Sequence, residues 1–118
     1  MQSEAKHDLQ ERTAKFGEAV IVFCKALDRN VISLPLISQI VRSSTSIGAN
    51  YMEANSASSK KDFTNKIFIC KKEAEETKHW LRMLSSCFID KKDKLRLLWK
   101  EAQELTMIFQ KITNSLRS

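Results

Sequence analysis

Apolar residues recur every three or four positions along most of this chain, which is the spacing of amphipathic α-helices. The first stripe consists of Leu9, Thr13, Phe16, Val20, Phe23 and Leu27. The third consists of Phe63, Ile67, Cys70, Ala74, Thr77, Leu81, Leu84 and Phe88. The fourth consists of Leu95, Leu98, Ala102, Leu105, Phe109, Ile112 and Leu116. These patterns predict helices over residues 8–29, 60–89 and 91–116.

The second periodic segment is the broadest, and it predicts a helix over residues 34–57. Its central stripe consists of Ile37, Ile40, Ser44, Ile47, Tyr51 and Ala54, and the apolar face is widened by Leu36, Val41, Gly48 and Met52. Polar residues recur on another face with the same regularity, namely Gln39, Arg42, Ser46, Asn50 and Glu53. A helix with two such ordered faces is typical of one that packs against more than its sequence neighbours.

The connections between these helices are short. Ser33 is the predicted N-cap of the second helix, and Pro35 falls in its first turn, where the missing amide hydrogen has no cost. Ser59, three residues before Asp62, predicts a capped third helix, and residues 90–93 form the last turn. Because such loops cannot cross a bundle, the chain is predicted to be all-α, a single-domain antiparallel up-down-up-down four-helix bundle.

Composition fits this architecture and restricts where the protein acts. The 118 residues include only 2 Gly and 1 Pro, so little loop is expected. The sequence has neither an apolar run of about eighteen residues nor a leader with a cleavage site. We therefore expect a soluble, cytoplasmic protein with no membrane partner.

Three cysteines, Cys24, Cys70 and Cys87, occupy apolar helical positions. Their odd number and the lack of the paired spacing of a metal site favour reduced packing residues over disulfides or metal ligands.

The net charge of +6 is unevenly distributed. Lys and Arg balance Asp and Glu up to residue 58, whereas residues 59–89 and 90–118 each carry seven basic against four acidic residues. Such an excess favours a polyanion or an acidic partner, although a solvated lysine face has the same composition. The candidate nucleic-acid-binding residues are Lys60, Lys61, Lys71, Lys78, Arg82, Lys91, Lys92, Lys94, Arg96 and Lys100.

The aromatic residues do not suggest base stacking. Five phenylalanines fall on the predicted core stripes, and Trp80 and Trp99 lie beside the stripes, where they are expected to cover a helix or subunit seam. Any binding is therefore expected to involve nucleic-acid backbone and shape.

The polar row of the second helix leaves two interpretations open. Arg42 and Glu53 are either ordinary solvent-exposed residues or members of a hydrogen-bonded set with Lys72, Glu73 or Glu76, formed within one subunit or between subunits. A buried charge requires such a partner, because an unpaired one costs about 3 to 5 kcal/mol. The predicted oligomer interface comprises Arg42, Ser46, Asn50, Glu53, Lys72 and Glu76.

Catalytic signals are weak. Two Glu-x-x-His motifs, Glu4 to His7 and Glu76 to His79, have the spacing of di-metal bundle ligands, but in the predicted register both miss the core. Ser43, Ser44 and Ser46 lack a strand-to-helix elbow, and small hydroxyl residues on helices mainly permit close packing. We therefore predict no enzymatic activity, no cofactor and no metal.

Residues 38–50, together with 53–54 and 59–63, resemble the bacterial four-helix-bundle family of proteins encoded by intervening sequences in 23S ribosomal RNA genes. Further similarity covers nearly the whole chain, at residues 11–13, 72–74, 76–77, 80–81, 101–102, 104–105 and 108–109. The resemblance implies a left-handed antiparallel bundle that forms a homopentamer. This chain departs from many relatives at Lys72 and Glu73, where the relatives carry small residues. The contact at these positions is therefore expected to differ from theirs.

The resemblance extends to the accessory protein of diversity-generating retroelements, which associates with a reverse transcriptase. Together with the basic excess of the third and fourth helices, it favours a non-enzymatic homo-oligomer that binds RNA or DNA through their basic surface. The alternative is a scaffold that binds an acidic partner, such as a reverse transcriptase, without contacting nucleic acid.

Overall fold

The computed structural model describes residues 2–117 of the chain, with side chains from residue 6. Its four long helices are α1 (Gln2–Lys25), α2 (Ser33–Asn55), α3 (Lys60–Cys87) and α4 (Lys92–Arg117), and a 3-10 helix, Ile89–Lys91, precedes α4. Residues 2–117 contain no strand, so the prediction of an all-α protein with four helices is confirmed. None of the described helices is long and apolar enough to cross a lipid bilayer.

In the contacts between successive helices, the residue number rises along one helix while it falls along its neighbour. On α1 and α2, Thr13 lies against Gly48 and Gly17 against Thr45. The same reversal relates α2 to α3 and α3 to α4, through the pairs Ser43–Thr77, Ile47–Cys70, Lys78–Gln103 and Phe68–Arg117. The helices therefore lie alongside one another in a body measuring 44 × 23 × 22 Å.

The core follows the predicted stripes closely. All six residues of the central α2 stripe are buried, as are most members of the other three. Met52 is an exception: 52% of its surface is exposed, so its predicted burial is wrong. It lines a shallow groove between α1 and α2 together with Gly17, Ile21 and Gly48.

Hydroxyl groups occupy several core positions. The Thr77 hydroxyl lies 2.8 Å from both Ser43 Oγ and the Glu73 carbonyl oxygen, so it joins α2 to α3 inside the core. Thr13 and Thr106 donate to carbonyl oxygens one turn earlier in their own helices. Among the described residues, no buried side-chain nitrogen or oxygen lacks a hydrogen-bond partner. Hydrogen bonds therefore offset the cost of removing these buried polar groups from water.

The α1–α2 connection differs from the predicted one. Asn30 Oδ1 accepts hydrogen bonds from the backbone amides of Ile32 and Ser33, each at 2.9 Å. Ser33 is the first residue of α2 rather than its N-cap, and its hydroxyl donates to the Asp28 carbonyl oxygen at 2.8 Å. The predicted cap at Ser33 is thus wrong: Ile32 is the N-cap residue and makes no side-chain cap bond, and Asn30 Oδ1 accepts from the amides of Ile32 and Ser33 from within the loop. This compact loop leaves Leu27 buried although α1 ends at Lys25.

The remaining helix ends are closer to the prediction. Ser59 caps α3, since its hydroxyl accepts from the Asp62 amide at 3.0 Å, as predicted. Pro35 lies in the first turn of α2. At the far end of α3 the chain does not turn sharply at residues 90–93. It passes instead through the 3-10 helix, and the Lys91 amide donates to the Phe88 carbonyl oxygen at 3.0 Å.

The cysteines divide between core and surface. Cys24 and Cys70 are buried, which confirms their predicted packing role, whereas Cys87 is exposed at the end of α3. The expectation for Cys87 is wrong because it is the last residue of α3 and is exposed to solvent, whereas Leu84 in the same turn is buried.

Candidate nucleic-acid interface

Arg42 connects α2 to α3 within a single chain. Its Nη1 donates to both carboxylate oxygens of Glu73 at 3.2 Å, and its Nη2 donates to the Glu76 carboxylate. The hydrogen bond to Glu73 is the main cause of a raised pKa for Arg42. Because 44% of the Arg42 side chain is exposed, this is a surface ion-pair network. Of the partners considered from the sequence, the arginine therefore bonds to Glu73 and Glu76.

The rest of the polar row is also satisfied locally. Ser46 donates to the Arg42 carbonyl oxygen at 2.7 Å, and the Asn50 amide donates to the Ser46 carbonyl oxygen at 2.8 Å. Glu53 pairs with Lys66 at 2.7 Å rather than with a residue further along α3, and this hydrogen bond raises the Lys66 pKa. Lys72 is exposed, and no described carboxylate lies within 4.0 Å of its amine. The row thus runs along one outer face of α2 and α3.

A second arginine network joins α1 to α4, and sequence reasoning did not predict it. Arg12 donates from Nε and Nη2 to the two Glu101 carboxylate oxygens at 2.7 and 2.8 Å, and Nη2 also approaches Glu104 at 3.2 Å. The Glu101 hydrogen bonds are the main cause of a raised pKa for Arg12. All three residues belong to the segments that carry the family resemblance, which was the available signal.

The ten candidate basic residues do not form one surface. Lys60 and Lys61 begin α3, about 33 Å along the helix from Arg82 at 1.5 Å per residue. Lys91 and Lys94 line a groove between α1 and α4. Arg82, Lys92 and Arg96 border the seam between α3 and α4, and Lys78 contacts Trp99 across it. The remaining two are Lys71 on α3 and Lys100 on α4.

The seam contains a groove of about 400 Å³, which we call the basic groove. It is lined by Leu81, Arg82, Ser85, Lys92, Leu95, Arg96 and Trp99. Leu81 and Leu95 are buried core residues, whereas the three cations are exposed. None of the lining residues is acidic, and no described carboxylate lies within 4.0 Å of any of the three cations. Their positive charge therefore faces solvent without a neutralising partner.

The groove between α1 and α4 has a different character. It encloses about 490 Å³ and is lined mainly by apolar side chains, which include Val22 and Leu97. These two are 68% and 67% exposed. Lys91 and Lys94 are the charged residues of its lining. We call it the apolar groove.

The Glu-x-x-His candidates do not converge on a common site. Glu76 accepts hydrogen bonds from Arg42 and from the Trp80 indole nitrogen at 3.0 Å. His79 is exposed, with its ring centroid 4.9 Å from that of Trp80. His7 is exposed on α1, and the Glu4 side chain lies outside the described residues. Across the part of the chain with described side chains, no three His, Cys, Asp or Glu residues come together as a metal site.

Comparisons with known proteins agree with the sequence pattern. A family model described as 23S rRNA-intervening sequence protein matches residues 5–114. The chain is also similar to a crystal structure of a protein of unknown function from the S23 ribosomal protein family of Bacteroides thetaiotaomicron VPI-5482, with a TM-score of 0.83 and 29% sequence identity. That alignment covers 92% of this chain and 97% of the other. No curated protein matches the chain significantly.

Proposed function

The chain belongs to the 23S rRNA-intervening sequence protein family, and from this premise we propose that it is a non-enzymatic, cytoplasmic homo-oligomer that associates with nucleic acid through the basic groove. Its subunit is an antiparallel up-down-up-down bundle, and its assembly is a pentamer by its resemblance to relatives. The observation that carries the proposal is the grouping of Arg82, Lys92 and Arg96 around one groove whose lining contains no acidic residue.

Charge chemistry supports this choice of ligand. Arginine side chains donate in a fork that matches phosphate oxygens, and unpaired surface cations release condensed counterions when they meet a polyanion. If three phosphates are contacted, log Kd should rise with log salt with a slope of about 2, at about 0.7 per phosphate for a single strand. Repetition of the groove around an oligomer adds to this positive field.

Three double charge reversals test the location. Lys92→Glu with Arg96→Glu changes the basic groove, Lys91→Glu with Lys94→Glu changes the apolar groove, and Lys60→Glu with Lys61→Glu changes the start of α3. Each lowers the net charge from +6 to +2, so the variants are matched in overall charge. Affinity for a short structured RNA is measured by fluorescence anisotropy over a range of salt concentrations.

We expect the Lys92/Arg96 variant to weaken binding by about tenfold or more at low salt, which is about 1.4 kcal/mol, and to reduce the salt slope. The other two pairs should lose much less. Equal losses in all three variants would mean that only net charge matters, and wild-type protein that binds no RNA at low salt would contradict nucleic-acid association altogether.

A second candidate function is supported by the apolar groove. Exposed Val22 and Leu97 beside Lys91 and Lys94 suit a partner helix that carries apolar residues on one face and carboxylates at its edge. This corresponds to an acidic protein partner that binds without nucleic acid.

The probe for this second candidate is a synthetic amphipathic helix with leucines on one face and glutamates on the other, compared with a version that carries lysines instead. Binding of the acidic peptide alone, lost in Leu97→Lys and in the Lys91/Lys94 variant but kept in the Lys92/Arg96 variant, would support it. Equal binding of both peptides, or none, would count against a specific acidic partner.

A further inference from the structure

Trp99 is placed differently from the other large aromatic side chains. It is 42% exposed and borders the basic groove, whereas Phe16, Phe23 and Phe109 are buried in the core. It lies in the seam between α3 and α4, as expected, but part of its indole remains open to solvent.

The Trp99 indole contacts a lysine of the neighbouring helix α3. The Lys78 amine lies 5.6 Å from the centroid of the indole ring and also donates a hydrogen bond to Gln103 Oε1 on α4. A cation at this distance attracts the ring and holds it against α3. This contact with the ring therefore comes from a residue outside the groove lining.

The cations surround the same space on two sides. Arg82 projects from α3, while Lys92 and Arg96 are one turn apart on α4. Ser85, also in the lining, donates its hydroxyl hydrogen to the Arg82 carbonyl oxygen at 2.6 Å. The groove thus combines an apolar floor of Leu81 and Leu95, one exposed indole and three unpaired cations.

We propose that the basic groove accepts an unpaired nucleotide, with its base stacked on Trp99 and its flanking phosphates bound by Arg82, Lys92 and Arg96. The groove volume of about 400 Å³ is within the range of small-ligand clefts. Aromatic side chains stack on the bases of single strands, whereas bases in a duplex are already stacked on one another. This inference rests on the proposed function and restricts it to single-stranded segments or loops. It replaces the expectation from the sequence that no aromatic side chain stacks on a base, because Trp99 is partly exposed beside the cations.

Intrinsic fluorescence provides a direct test. The sequence has 2 Trp, so Trp80→Phe leaves Trp99 as the only tryptophan. This variant is titrated with an unstructured RNA octamer of mixed adenine and cytosine, and separately with a blunt RNA duplex at the same phosphate concentration. We expect the octamer to quench Trp99 fluorescence and the duplex to leave it nearly unchanged.

Substitutions at position 99 give the second measurement. Trp99→Leu should weaken octamer binding by about tenfold and leave duplex binding within about twofold, while Trp99→Tyr should restore most of the octamer affinity. Trp80→Phe is the matched control, because Trp80 lies outside the groove lining, and it should bind as the wild type does.

The possible failures are distinguishable. Octamer binding that depends on salt but neither quenches Trp99 nor weakens in Trp99→Leu would overturn the nucleotide pocket and leave the proposed function intact. Equal losses for octamer and duplex in Trp99→Leu would indicate a structural role for the indole and also overturn the pocket. If neither RNA binds the wild type, the pocket and the proposed function fail together.

Discussion

At the scale of single residues, the three thiols show how strongly the core environment changes chemistry. Burial raises the pKa of Cys24 to about 11 and that of Cys70 to about 12, from a starting value of 9.0. The cause in both cases is that a thiolate would lose its hydration in an apolar surrounding. Cys87, at the end of α3, is exposed to solvent.

We expect the folded protein to show one fast-reacting thiol per chain with a disulfide reagent at pH 8, and three after unfolding in guanidinium. The thiolate is the reactive form, and a raised pKa leaves almost none of it at this pH for the two buried cysteines. Cys87→Ser should abolish the fast phase, and a fast phase that survives this substitution would contradict the assignment.

The Thr77 hydroxyl and the Ser43 hydroxyl, 2.8 Å apart, form a polar contact between α2 and α3 inside the core. Thr77→Val should lower the free energy of unfolding by about 1 kcal/mol, because Ser43 loses a buried partner. Adding Ser43→Ala should cost less than the sum of the two single changes, since no unpaired hydroxyl then remains. Urea denaturation of the four proteins measures the coupling, and strict additivity would show that the two hydroxyls do not interact.

At the scale of helices, two glycines, Gly17 and Gly48, lie where α1 and α2 contact each other. A methyl group on Gly17 would meet its nearest atoms, on Thr45 and Ser44, at 3.5 to 3.6 Å, an ordinary contact. A methyl group on Gly48 would lie 3.3 Å from Thr13 Oγ1, which is tighter. The two positions therefore look alike in the sequence but differ in the space available.

Gly17→Ala should raise the free energy of unfolding by about 0.5 to 1 kcal/mol, because alanine loses less conformational entropy in a helix. Gly48→Ala should gain less or nothing, since Thr13 must move, and Gly48→Val should be destabilising. Urea denaturation at one fixed protein concentration provides the measurement. A larger gain at Gly48 than at Gly17 would contradict this account of the α1–α2 contact.

At the scale of the whole molecule, the charge excess is carried by α3 and α4, which are neighbours. Because their facing residues meet along one seam, the basic groove concentrates cations that are fourteen residues apart in sequence, from Arg82 to Arg96. Lys91 and Lys94 lie in a separate groove against α1. Residues that alternate in sequence therefore belong to two surfaces with different expected ligands.

We expect a solution mass near 68 kDa, five times the 13.6 kDa chain, from light scattering at low salt. The predicted seam on the outer face of α2 and α3 implies that Asn50→Leu and Glu53→Lys lower this mass, while Lys25→Glu, an exposed change elsewhere, does not. If both variants keep the mass of the wild type, the subunit interface does not lie on this face of α2 and α3. If the wild type is a monomer, the predicted pentamer is wrong.

The sequence by itself determined the four helices, their buried stripes and the ordered polar row of α2. It also placed Glu73 and Glu76 among the partners of Arg42, because residues at helical spacing on adjoining segments share a face. Periodicity specifies the angle of each residue about its own helix axis, and this information is local. Helix ends were less well determined. At the start of α2 the backbone amides donate to Asn30 Oδ1 instead of to Ser33, because of a loop conformation that periodicity does not encode.

Only the tertiary structure decided which residues of different helices meet. The pairing of Arg12 with Glu101, the division of Lys92 from Lys91 and Lys94, and the position of Trp99 all depend on the rotation and register of packed helices. The rotation and register of each helix depend on the packing of the whole core, so the sequence of one helix alone does not specify them. The candidate site therefore exists only because α3 and α4 pack together, and the sequence alone does not show which of its residues meet there.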